Sequence, residues 1–220
     1  MDTKQRADVF INVHKGLRRG LLSLALHIGQ VDWTDGGEVI TLGAEFTTML
    51  RFLRDHAANE DDIQFPLLEK RSPGSTRREK VAHQLLEAEL DQLEAEWGKV
   101  AETPDREGPG YEFYLAFNRF LSGYLAHMDR EERDITWDFY KLFSDEEIKT
   151  GFQKIIARTP PQDMVMMLGY MIPAMNSSER LIFLSNLRQA ATPEIFGKVR
   201  TLAQEVLPTR DWDNLSAKLG

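Results

Sequence analysis

The chain has 220 residues, of which 42% are hydrophobic and 28% charged, enough to bury a core and too apolar for a disordered or fibrous polymer. Its 27 Lys and Arg stand against 35 Asp and Glu, and the resulting net charge of −8 repels phosphate backbones and anionic lipid, so neither nucleic acid nor a membrane is expected as partner. The lack of any Cys excludes disulfide frameworks, thiolate zinc sites, cysteine-ligated iron–sulfur clusters and cysteine nucleophiles, and leaves His and carboxylates to hold a metal.

The opening MDTKQRADVF has no basic start followed by an apolar run, so a secretory signal is not expected and the cytoplasm is the expected location. The longest apolar stretch, residues 21–28, is interrupted by Ser23 and His27 and falls far short of the ~20 residues that span a bilayer.

Four long segments with a helical apolar period follow one another. Gly-, Pro- and Asp-containing clusters at residues 32–37, 72–75 and 103–110 separate them. The first, residues 2–28, carries Phe10, His14, Leu17, Leu21 and Leu24 on one stripe. The second, residues 37–70, carries Phe46, Met49, Leu53, His56, Glu60, Ile63 and Leu67. The third, residues 76–101, carries Glu79, His83, Leu86, Leu90, Leu93 and Trp97. The fourth, residues 111–143, carries Phe113, Phe117, Phe120, Tyr124, His127, Glu131 and Asp134. Beyond Ser144, an N-cap candidate with Glu147 three residues on, Thr159-Pro160-Pro161, Pro173 and Thr192-Pro193 break the chain into four expected short helices. The predicted fold is all-α: an antiparallel up-down-up-down four-helix bundle over residues 1–143, with a helical C-terminal extension, residues 144–220, packed on it.

Each of the four long helices thus turns one His inward. A His and a Glu four apart differ by about 40° of rotation and about 6 Å of rise, so both side chains reach one point beside the helix. The pattern His-x-x-x-Glu occurs at His56/Glu60, His83/Glu87 and His127/Glu131, on three different helices. Counted from the turns at ~1.5 Å per residue, His14, His56, His83 and His127 fall at one level of the bundle. Four imidazoles and at least two carboxylates buried together need charge compensation, because isolated buried charge costs several kcal/mol. A dinuclear metal site supplies it, with carboxylates bridging and imidazoles outermost. A His/carboxylate set suits iron or manganese, with zinc as a substitute.

These residues resemble the hemerythrin-like, HHE cation-binding family. The resemblance rests on VHKGLRRGL, FLRDHAANEDDIQFPLLEK, EKVAHQLLEAELDQL and YLAHMDREERDITW and covers residues 1–143. It implies a four-helix bundle around two non-haem iron ions with a bridging oxygen species. His14, His56, His83 and His127 would be terminal ligands and Glu60 and Glu131 the bridges. Oxygen-carrying hemerythrins place two histidines four apart on the third helix, where this chain has His83 alone. Glu79 or Glu87 then completes the set, the stripe spacing favouring Glu79. A site with fewer imidazoles resembles the sensor, stress-response and iron-handling members, and the expected ligand of this chain's centre is O2, NO or peroxide. The stretch LGYMIPAMNSSERLIFLSNLRQAATPEIFGKVRTLAQEVL is similar to the helical extension that follows the domain in many members.

Two other classes compete with a ligand-binding di-iron protein. A di-iron oxidase or peroxidase on a ferritin-type bundle would use Glu-x-x-His at i, i+3, an order none of the three repeats has. In an interaction module, metal would only lock the bundle while the acidic surface or the Met-rich segment Met164–Met175 recruits a partner. The plain alternatives are core histidines without metal, Met164, Met166, Met167, Met171 and Met175 as core filling, and His27 as a structural or solvated residue. Tyr124, one turn before His127, suits a hydrogen bond to a metal-bound species, and Phe117 and Phe120 suit an apolar access route or simple core.

Overall fold

Caps, prolines and competing hydrogen bonds set the helix limits in this chain. The computed structural model describes residues 6–220, and among them the secondary structure is helical, with no strand. Eleven α-helices occur among the described residues: α1 Ile11–Gln30, α2 Gly36–Asn59, α3 Phe65–Arg71, α4 Arg77–Glu102, α5 Glu107–Arg130, α6 Thr136–Leu142, α7 Asp145–Arg158, α8 Pro161–Ala174, α9 Ser177–Ala190, α10 Pro193–Val206 and α11 Thr209–Leu219. Two π turns, Glu60–Gln64 and Glu131–Ile135, join α2 to α3 and α5 to α6. Contacts divide the chain into two compact units, one formed by residues up to Phe10 with Gly20–Ala157, the other by Ile11–Arg19 with Arg158–Gly220.

In the first unit, the Asp35 side chain accepts from the Gly37 and Glu38 amides and starts α2. The turn before α4 closes on Glu69, whose carboxylate accepts from the Gly74 amide at 2.7 Å, the Thr76 amide at 3.0 Å and the Thr76 hydroxyl at 2.5 Å. Those hydrogen bonds, the Thr76 hydroxyl first, hold the Glu69 carboxyl down at about 2. Ser144 and Glu147 cap α7 reciprocally: the Ser144 amide donates to Glu147 at 2.9 Å and the Glu147 amide donates to Ser144 Oγ at 3.3 Å.

The expected first helix begins later than the apolar stripe implies. Its residues 2–5 lie outside the described residues, and Arg6–Phe10 are not helical. The reason is competition. Arg6 Nε donates to Asp145 at 2.6 Å, its other nitrogens donate to the Tyr140 and Phe143 carbonyls, and the Tyr140 hydroxyl donates to the Ala7 carbonyl at 3.1 Å. Val9 and Phe10 are thereby laid into a buried cluster with Phe65, Leu68, Ile135, Phe139 and Phe143. Ile148 of α7 joins the same cluster, and Arg71 pairs with Glu147 and stacks over Phe143 at 4.1 Å.

Gly110 shows how closely the first unit is packed. A Cβ there would lie 2.3 Å from Trp33 Cδ2 and 2.5 Å from Cε2, so the indole sits on bare backbone of α5. Alanine ordinarily stabilises a helix interior relative to glycine. Here Gly110→Ala is expected to destabilise by about 1–3 kcal/mol through overpacking, read as a lower urea midpoint.

In the second unit the core is Leu168, Ile172, Leu184, Ala203, Leu207, Trp212 and Leu215, with Met164 and Met171 packed against it. The core-filling reading of these two methionines therefore holds. Asn176 and Glu179 form a capping box at the start of α9. Pro173 lies one residue before the end of α8, where Arg180 donates to the Ile172 and Pro173 carbonyls and pairs with Asp211 at 2.9 Å. Five helices follow Ser144 where four were expected, because Leu207-Pro208 adds a break that the apolar pattern alone passes over.

Candidate metal centre

Both His-x-x-x-Glu pairs at the ends of α2 and α5 meet a π turn at their glutamate. The Phe65 amide reaches back to the Glu60 carbonyl and the Thr136 amide to the Glu131 carbonyl, five residues each. Such a widened turn inserts a residue into the helix and re-aims the side chains around it, and it recurs at functional sites. Here Glu60 and Glu131 are both fully buried. The paired segments read HAANEDDIQF and HMDREERDIT.

The side chains converge on one another. Glu60, His83, His127 and Glu131 each offer a ligand atom within 4.8 Å of the others. His83 Nε2 lies 3.2 Å from Glu60 Oε2, 3.3 Å from Glu131 Oε1 and 3.1 Å from His127 Nε2. His127 Nε2 lies 3.1 Å from Glu131 Oε1, and His56 Nε2 lies 3.2 Å from Glu60 Oε1. Two imidazole nitrogens and two carboxylates pointed at one small volume form a ready electron-pair donor set.

The outer nitrogens are held as well. His83 Nδ1 meets Asp61 Oδ1 at 3.0 Å, and His127 Nδ1 meets Glu79 Oε2 at 3.1 Å. Arg130 and Arg78 flank the other Glu79 oxygen at 3.7 and 3.9 Å. A carboxylate behind each imidazole fixes the ring's orientation and places its proton on Nδ1, which leaves Nε2 as the inward donor.

The electrostatics follow from these contacts. Burial works against a charged His83, but hydrogen bonds to Asp61, Glu131 and Glu60 outweigh it and push the imidazole up to about 12. His127 is likewise opposed by burial and raised by Glu131 and Glu79. Protons therefore occupy this site when no cation does. Burial, with Glu60 and Glu131 adding, raises the Tyr124 phenol well above its ordinary value, so it stays a hydrogen-bond donor beside His127, ring to ring at 5.9 Å.

Apolar layers close the site. The His83 ring stacks on Phe65 at 5.3 Å. On the other side Leu24, Phe46, Met49, Leu53, Leu90, Phe117 and Phe120 enclose a gap with no room for a water molecule. Phe120 also borders an outer groove of about 500 Å³ with Leu93, Glu112, Ala116 and Arg119.

Of the residues singled out in the sequence, His56, Glu60, His83, His127 and Glu131 come together, and His14 is buried on α1 in line with Leu17, Leu21 and Leu24. Glu79 is buried behind His127, whereas Glu87 points away and pairs with Arg54 at 2.8 Å on the outer face. His27 pairs with Glu45 at 2.7 Å, away from the group. Asp61 has no counterpart among the expected residues: it lies off the stripe that Glu60 continues, and only the π turn shows that it turns back to an imidazole.

A family model, the Hemerythrin HHE cation binding domain, matches residues 5–136, which contain every one of these His and Glu positions. No curated protein and no solved structure matches the chain. No helix among the described residues is long and apolar enough to cross a membrane. With the match covering well over half of the chain and the buried His/Glu group lying inside it, the chain belongs to the hemerythrin HHE cation-binding domain family.

Proposed function

We propose that the protein holds two non-haem iron ions and binds O2, NO or peroxide at them, for sensing, storage or stress protection in the cytoplasm. The observation that carries this reading is the convergence of Glu60, His83, His127 and Glu131 within 4.8 Å, fully or nearly fully buried. His56, on the partner oxygen of Glu60, extends the set, and His14 is the proposed ligand from the first helix. Glu60 and Glu131 are the proposed bridges, His56, His83 and His127 the outer ligands. The proposed scaffold is an antiparallel up-down-up-down four-helix bundle, supported by the short connections between α1, α2, α4 and α5.

The donor set fits such a group: nitrogen and carboxylate oxygen without thiolate suits iron, and manganese or zinc in its place. When bound, the iron pair supplies a redox-active Lewis acid for a small ligand. The chain's own residues do the rest. Asp61 and Glu79 hold the His83 and His127 protons on the outer nitrogens. Phe65, Phe117 and Phe120 keep water out, and Tyr124 holds a phenol proton next to His127. Only one imidazole comes from α4, which favours a ligand-reactive or sensing site over a dedicated oxygen carrier.

Elemental analysis with an optical spectrum, reduced and then air-exposed, tests this on wild type beside His56→Ala and Glu131→Ala. About two irons per chain with an oxo-to-iron band, both lost in the two variants, is the expected result, since removing a ligand leaves the rest unable to complete the coordination. Metal content equal in all three proteins would overturn it.

A further inference from the structure

A groove of about 650 Å³ opens on the first unit between one face of α2, from Gly36 to Thr47, and Trp97 and Ala101 of α4. That face extends about 16 Å along the helix. Small residues leave the groove unfilled: a Cβ on Gly36 would meet nothing within 4 Å, and Ala44 and Ala101 offer one methyl each. At Gly43 the missing Cβ admits the Trp97 indole, whose Cζ2 would lie 2.7 Å from it and which Phe46 and Phe113 hold from the core side at 5.7 and 5.2 Å. Ile40, also on the wall, is 76% exposed, the most of any large apolar side chain among the described residues. The Thr47 hydroxyl already donates to the Gly43 carbonyl at 2.9 Å.

Arg106 is the one charged residue lining this apolar wall. Its Nε is shut off from solvent and meets no acceptor. Asp105 and Glu107 flank it in sequence, and neither pairs with it. Elsewhere Arg6, Arg54, Arg71 and Arg180 each meet a carboxylate. Helix capping does not account for Arg106 either. It holds the N-cap position of α5 without a side-chain cap bond, and a cation at a helix start stands against the helix dipole. A buried donor left without an acceptor costs more than a made hydrogen bond gains, so the arrangement favours an anion that enters the groove from outside.

We propose that this groove binds a medium-chain fatty acid, its carboxylate on the Arg106 guanidinium and its alkyl chain against Ile40, Ala44 and Trp97. Guanidinium takes a carboxylate in a two-pronged hydrogen bond, which fixes the head group. An elongated apolar wall with one convergent polar group then sets the rest of the ligand: long, unbranched and without further charge. Trp97 stands about 20 Å along α4 from His83, so the site is separate from the metal centre and does not rest on the metal reading.

Titration calorimetry on the full chain tests this with decanoate, kept below the concentration at which it forms micelles. Decyltrimethylammonium supplies the same chain with the opposite charge, and acetate supplies the head group alone. The expected result is saturable binding of decanoate, with both comparison probes at least about tenfold weaker. Arg106→Met keeps an apolar side chain of similar length and is expected to weaken decanoate about 10- to 100-fold. Ala44→Trp, at an exposed position, fills the groove and is expected to abolish binding. Circular dichroism and the urea midpoint check that the variants are folded, and the three-probe comparison on wild type stands whether or not they are. Decanoate that does not saturate, or decyltrimethylammonium binding as tightly as decanoate, overturns the proposal. So does an unchanged decanoate affinity in folded Arg106→Met or Ala44→Trp.

Discussion

Stripping the metal from the loaded protein with a chelator is expected to lower its unfolding free energy by about 4 kcal/mol where free metal had stood near a thousand times Kd. The physical cause lies in what replaces the cation. Glu60 and Glu131 are fully buried and His83 and His127 nearly so, and the metal-free group is neutralised by protons on the imidazoles. The sign with pH follows. The His83 imidazole titrates at about 12 in the folded chain against an ordinary 6.5, so its contribution to the metal-free fold is complete below 6.5 and fades as pH rises from there toward 12. Metal binding expels those protons, so the loaded form gains over the same window. The gap between loaded and chelated protein should therefore widen from mildly acidic to alkaline pH. Urea unfolding with and without chelator at several pH values measures it, and a gap that narrows with rising pH would contradict the assignment of protons and cation to the same atoms.

Glu79→Gln is expected to weaken metal binding about 10- to 100-fold, and Glu87→Gln to leave it unchanged. Both glutamates belong to α4, and the sequence offers both as candidates. Their surroundings differ. The Glu79 carboxylate is buried behind the His127 Nδ1 proton and its replacement removes the negative charge that steadies the ring. Glu87 shares Arg54 with Asp91 and Glu94 on an exposed face, where such pairs contribute about 1 kcal/mol or less. Competition against a chromophoric chelator separates the two. Equal affinities in the two variants would show that Glu79 is a structural partner of Arg130 and Arg78 and does not act through His127.

The helical class, the positions of the long helices and the inward His and Glu stripes were legible from spacing, because a helix converts a three-and-four alternation directly into a face. His56, Glu60, His127 and Glu131 were read that way, and each is buried. Spacing leaned to Glu79 over Glu87 without deciding between them, since both lie within a turn of His83 and side-chain direction there depends on the neighbouring helix. The start of α1 was misplaced because the apolar stripe through Phe10 continues into residues whose side chains and carbonyls are claimed by Arg6, Tyr140 and Asp145. The π turns left no mark in composition: Glu60-Asp61-Asp62-Ile63-Gln64 is as compatible with an α-helix as with the wider turn it adopts.

By itself, then, the sequence determined which residue types face inward on each helix and that no thiol competes for a cation, since both follow from local geometry and composition. Only the tertiary structure decided that Asp61 and Glu79 stand behind His83 and His127, that Glu87 belongs to Arg54, and that Trp97 packs on Phe113 beside an open groove. Those outcomes depend on the rotation and approach of neighbouring helices, set by contacts such as Gly110 against Trp33 and Gly43 against Trp97, which join residues distant in the chain and leave no periodic trace along it.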